Sequence, residues 1–474
     1  MYFEKSKSQL HYEKNQLEFV CLDQLVPQDH ILRKIENAVD FEFIHDLTKD
    51  LYSHTVGRNC LDTVTLFKIV ILSFLTGKNS IRATLEDTKV NMAYRWFLNL
   101  SLTGTVPSYS TFSKNYSRRY ESSDVFDKIF NTILESLIDN NLIDTSIIFV
   151  DGTHIKANAN KKKFIKKAVN VEFTKFEKQI QKEIKNYRKE IGRNDNDDDD
   201  NDENIDIDEE TGEVKDIKET KTINISKVDP DSGMYVKGEH ERVFAYVDQV
   251  GCDKNGYILG FDVNSGNMHD SKAFLPFYEK YLSKLNPNVV CCDAGYNNAF
   301  NAKYMIDNNV NLLVPYARPK GGKDLFNNKF TYILECDSYL CPNGNLLHKN
   351  NVTKDGYVEY IIEPHNCKNC PFKKDCLKNY KRKTIRRHMY QDCVEVCKNY
   401  RLSDEGKEIY SLRKETIERV FADGKEKHGL RYTRFKGLVK NRHLRCLLYA
   451  CLNIKKVAIL LSRRVTNKIK ICNI

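Results

Sequence analysis

The stretch Ile147-Ile148-Phe149-Val150-Asp151-Gly152-Thr153-His154-Ile155-Lys156 decides how the rest of the chain is read. An apolar, partly β-branched run that ends in a polar residue gives a buried strand, here over residues 143–151. Asp151 then stands at the carboxyl end of that strand, where open α/β sheets bind ligands. A second run, Val289-Val290-Cys291-Cys292, ends in the same way at Asp293. A helical stretch over Asp404–Ala422 carries Glu418 among basic neighbours. Phosphodiester chemistry needs clustered hard oxygens to hold divalent metals, and three carboxylates can supply them. Each acid also has an ordinary reading. Asp151-Gly152 can close a strand, Asp293-Ala294-Gly295 can cap a helix, and Glu418 can pair with Lys414 one turn back. The three taken together, in order, favour the catalytic reading.

Three motifs carry a resemblance. Asp151-Gly152-Thr153-His154-Ile155-Lys156-Ala157-Asn158-Ala159, Asp293-Ala294-Gly295-Tyr296, and Glu418-Arg419-Val420-Phe421 with Lys425 resemble those of bacterial insertion-sequence DDE transposases. The pattern is most similar to the insertion-sequence 1182 family, with its InsH-like helical N-terminal domain. The resemblance spans nearly the whole chain. It implies an α+β/α/β multidomain protein: a helical DNA-binding domain, then a ribonuclease H-like mixed-sheet catalytic domain with a Cys-rich insertion. It also implies two Mg²⁺ or Mn²⁺ ions on Asp151, Asp293 and Glu418. Related enzymes show Tyr-x2-Arg-x3-Glu-x6-Lys on the last helix. Here Tyr410-x2-Arg413 and Glu418-x6-Lys425 match, but four residues separate Arg413 from Glu418, so the role of Arg413 is open. Glu415 is the alternative acid, without the Val-Phe and the spaced Lys. Lys425 is the expected phosphate clamp, Lys156 a second candidate, and Arg413 a further DNA-binding candidate.

Four segments follow from the pattern. Residues 1–125 read as helical, with Leu61–Thr76 a core helix and Ser80–Asn99 another. A turn at Thr105-Val106-Pro107-Ser108 leads to the basic segment Tyr109–Tyr120, which holds Lys114 and Arg118. Two helices joined by a short turn resemble a helix-turn-helix that would read DNA ends; a corner of a helical bundle gives the same pattern. Residues 143–320 form the first part of the catalytic core. It is interrupted over 165–235 by a helical arm, with Phe173, Phe176, Ile180, Ile184, Tyr187 and Ile191 on one stripe, and by an acidic segment expected to be disordered. Arg242–Val250 and Gly256–Asn264 alternate around Asp253-Lys254-Asn255-Gly256 as a hairpin. A helix from about Ser271 and a strand at Val310–Val314 follow. Residues 321–400 are the Cys-rich insertion. Residues 401–474 supply the last helices, with Leu447–Leu461 expected to pack on the sheet, and a basic tail.

Within that insertion Cys341, Cys367-x2-Cys370 and Cys376 lie among turn-rich residues. Such spacing suits a four-thiolate zinc knuckle, and four reduced thiols in a loop are the plain alternative. Cys336 could replace Cys341, while Cys393 and Cys397 sit at helical spacing. Fifteen cysteines, an odd number, and no signal-like apolar N-terminus point to reduced thiols in a cytosol, and no long apolar run marks a membrane span.

The net charge of +10 hides a stronger bias. Twelve acids and no Lys or Arg lie in 194–213, so the remainder carries +22. From Lys425 to Lys470 there are fourteen Lys or Arg against Glu426 alone, with Arg431 and Arg434 among the expected backbone contacts. Such a surplus suits a polyanion, and a soluble Lys-rich protein from an AT-rich genome gives the same balance. The expected partners are double-stranded DNA (terminal inverted repeats and target) and a second copy of the chain on that DNA. The expected location is the bacterial cytoplasm, at the nucleoid. The expected function is cleavage of element ends and their joining to target DNA. A purely hydrolytic nuclease or recombinase, or a non-catalytic repressor derived from a transposase, are the alternatives.

Overall fold

A computed structural model describes residues 6–7, 15–53, 55–57, 60–78, 80–172, 175–190, 218–237, 241–315, 325–353, 355–377, 382–463 and 471–472. The acidic segment 194–213, Phe173 and Ile191 fall outside these residues. The chain forms two compact units. No described helix is long and apolar enough to cross a membrane.

The first unit comprises Met1–Ile143, Ala422–Arg431 and Val439–Ile474. Its helices include α1 (Ile31–Ala38), α2 (Phe43–Thr48), α3 (Thr63–Leu75), α4 (Ile81–Thr88), α5 (Met92–Phe97), α6 (Tyr109–Asn115) and α7 (Val125–Asp139). Asp62 starts α3 by accepting the Thr65 N–H at 2.7 Å, and every residue from Thr63 to Phe74 is buried. Lys68 can be buried in α3 because both Glu36 oxygens accept from its ammonium at 2.8 Å. The expected helix Ser80–Asn99 is two helices, with Asn91 capping the second. Nor is the connection to α6 a short turn: it runs over 98–108, braced by Arg95, which donates to the carbonyls of Ser101 and Gly104 at 2.8 and 2.9 Å.

The C-terminal helix Leu438–Arg463 corrects one expectation. Its apolar stretch suits a lid on the sheet, yet from Val439 on it belongs to the helical unit. His443 stacks on Phe126, Arg442 pairs with Asp127 at 2.7 Å, and the Cys451 thiol donates to the Ile71 carbonyl. An apolar stripe shows that a helix is buried but not what buries it.

The second unit comprises Asp144–Phe421 and Tyr432–Leu438. Its main sheet holds β1 (Ile147–Lys156), β2 (Phe164–Glu172), β3 (Lys218–Ser226), β4 (Gly233–Lys237), β5 (Glu241–Asp253), β6 (Ile258–Ser265), β7 (Val289–Cys291) and β8 (Asn311–Leu313). The order is β2-β3-β4-β5-β1-β7-β8, with β6 also on β5. β1, β7 and β8 are parallel, and the remaining pairs are antiparallel. The β5–β6 hairpin forms as expected, with Gly256 at φ +75° in its turn. Within 165–235 the helix α8 (Lys175–Glu190) is present, but β2, β3 and β4 are strands that the sequence pattern does not announce.

The Cys-rich insertion also holds more structure than expected. β9 (Thr331–Ile333), β10 (Ser338–Leu340), β11 (Leu346–Val352), β12 (Tyr357–Ile361) and β13 (Thr384–His388) make a second, antiparallel sheet. Its small core includes Leu347, Val352, Val358 and Tyr360, with Ile184 of α8 inserted. The expected helix Asp404–Ala422 is broken into α9 (Asp404–Ser411), a 3-10 turn at Leu412–Lys414, and α10 (Ile417–Lys427).

Candidate active site

Register brings the two aspartates together. β1 and β7 are parallel, with Phe149 opposite Cys291. Side chains alternate with period two along a strand. Asp151 and Asp293 each lie two residues beyond that pair, so they emerge side by side. Asp151 does not end its strand: β1 continues to Lys156 because β5 pairs with it across Ile148–Lys156. The carboxyl end that matters is that of the parallel pairing.

Arg413 joins the two acids. Its Nη2 lies 2.8 Å from Asp151 Oδ2, and its Nη1 lies 3.5 Å from Asp293 Oδ1. The Arg413 side chain is 4% exposed, Asp151 21% and Asp293 57%, so the Asp151 contact is the desolvated one. The helix break before α10 is what turns Arg413 inward. Thr416 stabilises that break by donating from Oγ1 to the Leu412 carbonyl at 2.8 Å. In the sequence Arg413 is a DNA-binding candidate whose role is open; the structure buries it against carboxylates. Its Nε is buried with no hydrogen-bond partner among the described residues.

Burial pushes the Asp151 carboxyl up to about 6, against the pull of Arg413 and of the Gly152 N–H, which donates to it at 2.8 Å; Asp293 and Asp270 push it up further. Burial also pushes the Cys291 thiol up to about 12 and holds Cys292 protonated beside it. Neither thiol is a nucleophile at neutral pH.

Asp270 and Gln249 do not stand out in the sequence pattern, and Tyr296 enters it only as the last residue of the second motif, yet all three lie beside the pair. Gln249 lies opposite Gly152 in the β1–β5 register. Its Nε2 donates to Asp270 Oδ1 at 3.0 Å, and the Tyr296 hydroxyl donates to its Oε1. A β-carbon on Gly152 would lie 2.9 Å from Asp270 Oδ1, and one on Gly295 3.0 Å from Asp270 Oδ2. The glycines after both aspartates therefore make room for one carboxylate. The signal is present in Asp151-Gly152 and Asp293-Ala294-Gly295, but only the fold reveals the shared neighbour.

Glu418 is exposed near the start of α10, and no hydrogen bond or ion pair among the described residues joins it to the aspartate pair. Glu415 is also exposed. Lys156 is exposed at the end of β1, and Lys425 is half-buried on α10. Lys114 and Arg118 are exposed on the helix that begins at Tyr109. Arg431 is exposed and paired with Glu426, and Arg434 is exposed. Among the described residues no three His, Cys, Asp or Glu side chains converge as a metal-binding group. The donor chemistry of the pair nonetheless fits a hard divalent cation: two carboxylate oxygens share one positive charge, supplied here by Arg413. In the second sheet Cys341, Cys367 and Cys376 belong to one small core, and the Asn345 N–H donates to Cys341 Sγ at 3.4 Å. Burial raises the Cys367 and Cys376 thiols, and neighbouring thiols, Cys370 included, add to the rise. Among the described residues these thiols share a neighbourhood without forming a coordination shell.

Residues 20–118 match the family model described as a transposase domain (DUF772). Residues 340–458 match the one described as a transposase DDE domain. The second match takes in Arg413, Glu418 and Lys425 and begins after Asp151 and Asp293. No curated protein matches the chain.

Proposed function

We propose, from the premise that this is a transposase-family protein with an N-terminal DUF772 segment and a C-terminal DDE-type domain, that it cuts the ends of an insertion sequence and joins them to target DNA. The observation that carries the reading is the register-matched pair Asp151 and Asp293 at the ends of adjacent parallel strands. The mixed sheet with three adjacent parallel strands supports a ribonuclease H-like core. Asp151 and Asp293 would hold Mg²⁺ or Mn²⁺, with Glu418 as the third carboxylate. Two such ions, when bound, stabilise charge on the entering and leaving oxygens of an in-line displacement. The protein's own part is positioning. The parallel register sets the spacing of the aspartates, the Gln249–Asp270 pair packs against the glycines that follow them, and Arg413 compensates their charge. Lys425 and Lys156 are proposed phosphate contacts. Double-stranded DNA is the proposed partner, engaged by two copies of the chain, in a bacterial cytoplasm.

The test is cleavage of a plasmid carrying the genomic DNA that flanks this reading frame. Asp151→Asn, Asp293→Asn and Glu418→Gln should each abolish Mg²⁺-dependent cutting at the flanks and leave DNA binding intact. Near wild-type cutting by either aspartate variant sinks the assignment. Loss on Glu415→Gln in place of Glu418→Gln moves the third role to Glu415. Hydrolysis at the flanks with no joined product favours the nuclease.

A further inference from the structure

The unit built on the mixed sheet carries a trough with one sign of charge. Two adjoining cavities, of about 540 and about 330 Å³, share Lys161. Lys156, Lys163 and Tyr432 also line the first, and Lys162 and Arg242 the second. Among the described residues no Asp or Glu lines either. All five cations are exposed, and none forms a salt bridge with a described residue. An ordinary lysine-rich face is convex and interspersed with acids; this one is concave and lined by cations alone among its charged groups. Crowded like charge is unfavourable until a polyanion enters, and a cleft of one sign concentrates such a partner.

One wall is held in place. Thr433 N–H donates to the Lys156 carbonyl at 2.9 Å, continuing the β1 edge into the segment 432–435. Asn158 accepts from the Tyr432 hydroxyl and donates to the Arg434 carbonyl, both at 2.9 Å. Tyr432 is thereby fixed while remaining 39% exposed, a flat face on which a base or sugar can rest. The other wall is the lysine-bearing turn between β1 and β2.

We propose that this trough carries the sugar-phosphate backbone of the DNA held at the aspartate pair. The strand that bears Asp151 ends in the trough, at Lys156. Lys156 lies five positions beyond Asp151 on β1, roughly 16 Å along the backbone at about 3.3 Å per residue; at that odd spacing the two side chains leave the strand on opposite faces, so the proposed DNA path runs round the carboxyl end of β1. That reach corresponds to about five nucleotides at about 3.4 Å per step. Lysines act as point charges on phosphate without reading bases, so the contact is indifferent to sequence. The identity of the polyanion rests on the DDE reading above; the capacity to bind one rests on the trough alone.

The experiment titrates the full chain with a mixed-sequence DNA duplex at several salt concentrations. The variants are K161Q/K162Q/K163Q and, as a control of exposed lysines elsewhere on the same unit, K280Q/K284Q. The triple variant should bind about tenfold or more weakly at low salt. Its log–log salt slope should flatten by roughly 0.9 for each phosphate no longer neutralised. The control should leave both unchanged. An unchanged slope in the triple variant overturns the proposal, and so does an equal weakening in the control. A weakening confined to an RNA duplex overturns it as well. Cutting assays separate this from the catalytic reading. Asp151-dependent cleavage with an unaltered slope sinks the trough alone. A flattened slope without any Asp151-dependent cleavage supports the trough and sinks the catalytic reading.

Discussion

At the residue scale, Arg413 and the aspartates depend on one another. A buried guanidinium needs a carboxylate, and a buried carboxylate such as Asp151 needs a cation. Arg413→Ala leaves Asp151 buried without its partner at 2.8 Å. Breaking a buried pair costs about 3–5 kcal/mol. The half-exposed Asp293 adds little to that, because solvent screens it. Arg413→Ala should therefore lower the melting temperature, and Mg²⁺ should restore more stability to the variant than to the wild type. A divalent ion can replace the charge that the arginine supplied. Melts with and without Mg²⁺ decide this; equal Mg²⁺ effects on both proteins would show that the pair does not share a cation site. The sequence reveals Arg413 only as half of a spacing motif, because an ion pair between positions so far apart leaves no local trace.

At the element scale, the strands around the site are legible in the sequence and much of the surrounding structure is not. Val289–Cys291 and the β5–β6 hairpin announce themselves by apolar runs and a turn with Gly256. β2 and β3 do not. Phe164-Ile165-Lys166-Lys167-Ala168 is exposed over most of its length, so no apolar face marks it, and backbone pairing holds it to β3. The break before α10 is hidden because Leu412–Thr416 contains no Gly or Pro; the inward turn of Arg413 belongs to tertiary structure. The insertion is legible through its cysteines, whereas its sheet is not, because its strands are short. If those cysteines hold zinc, the purified protein should contain about one zinc per chain, absent from Cys367→Ser and Cys370→Ser. The small core around Leu347 and Tyr360 would then melt earlier on chelation. Elemental analysis without zinc in protein never exposed to chelator would leave the thiols as packing residues.

At the scale of the whole molecule, acid should weaken both units through buried neutral histidines. In the helical unit, His428 is 1% exposed; its Nδ1–H donates to the Phe74 carbonyl at 2.9 Å, and its Nε2 accepts from Lys455 at 3.1 Å. Both ring nitrogens are engaged in a way that only the neutral tautomer allows. Burial, with Lys455 adding to it, pulls its pKa down to about 4. In the sheet unit, His388 Nδ1 accepts the Tyr390 N–H at 3.1 Å, and burial pulls that ring down to about 4 as well. The unfolded chain takes up these protons at about pH 6.5, the folded protein not until about pH 4. Stability is therefore present above pH 6.5 and falls as pH drops through that window, by up to about 2–3 kcal/mol per histidine. Asp151 opposes this: its pKa is raised, so its contribution is greatest at low pH and disappears as pH rises through about 6. Two histidines against one acid leave the net slope positive with pH. Urea melts between about pH 7 and pH 4.5 should show stability falling with acid, and His428→Gln should flatten the fall of the helical unit while costing stability at neutral pH. A stability that stays level across that range would mean that the histidines protonate without unfolding anything.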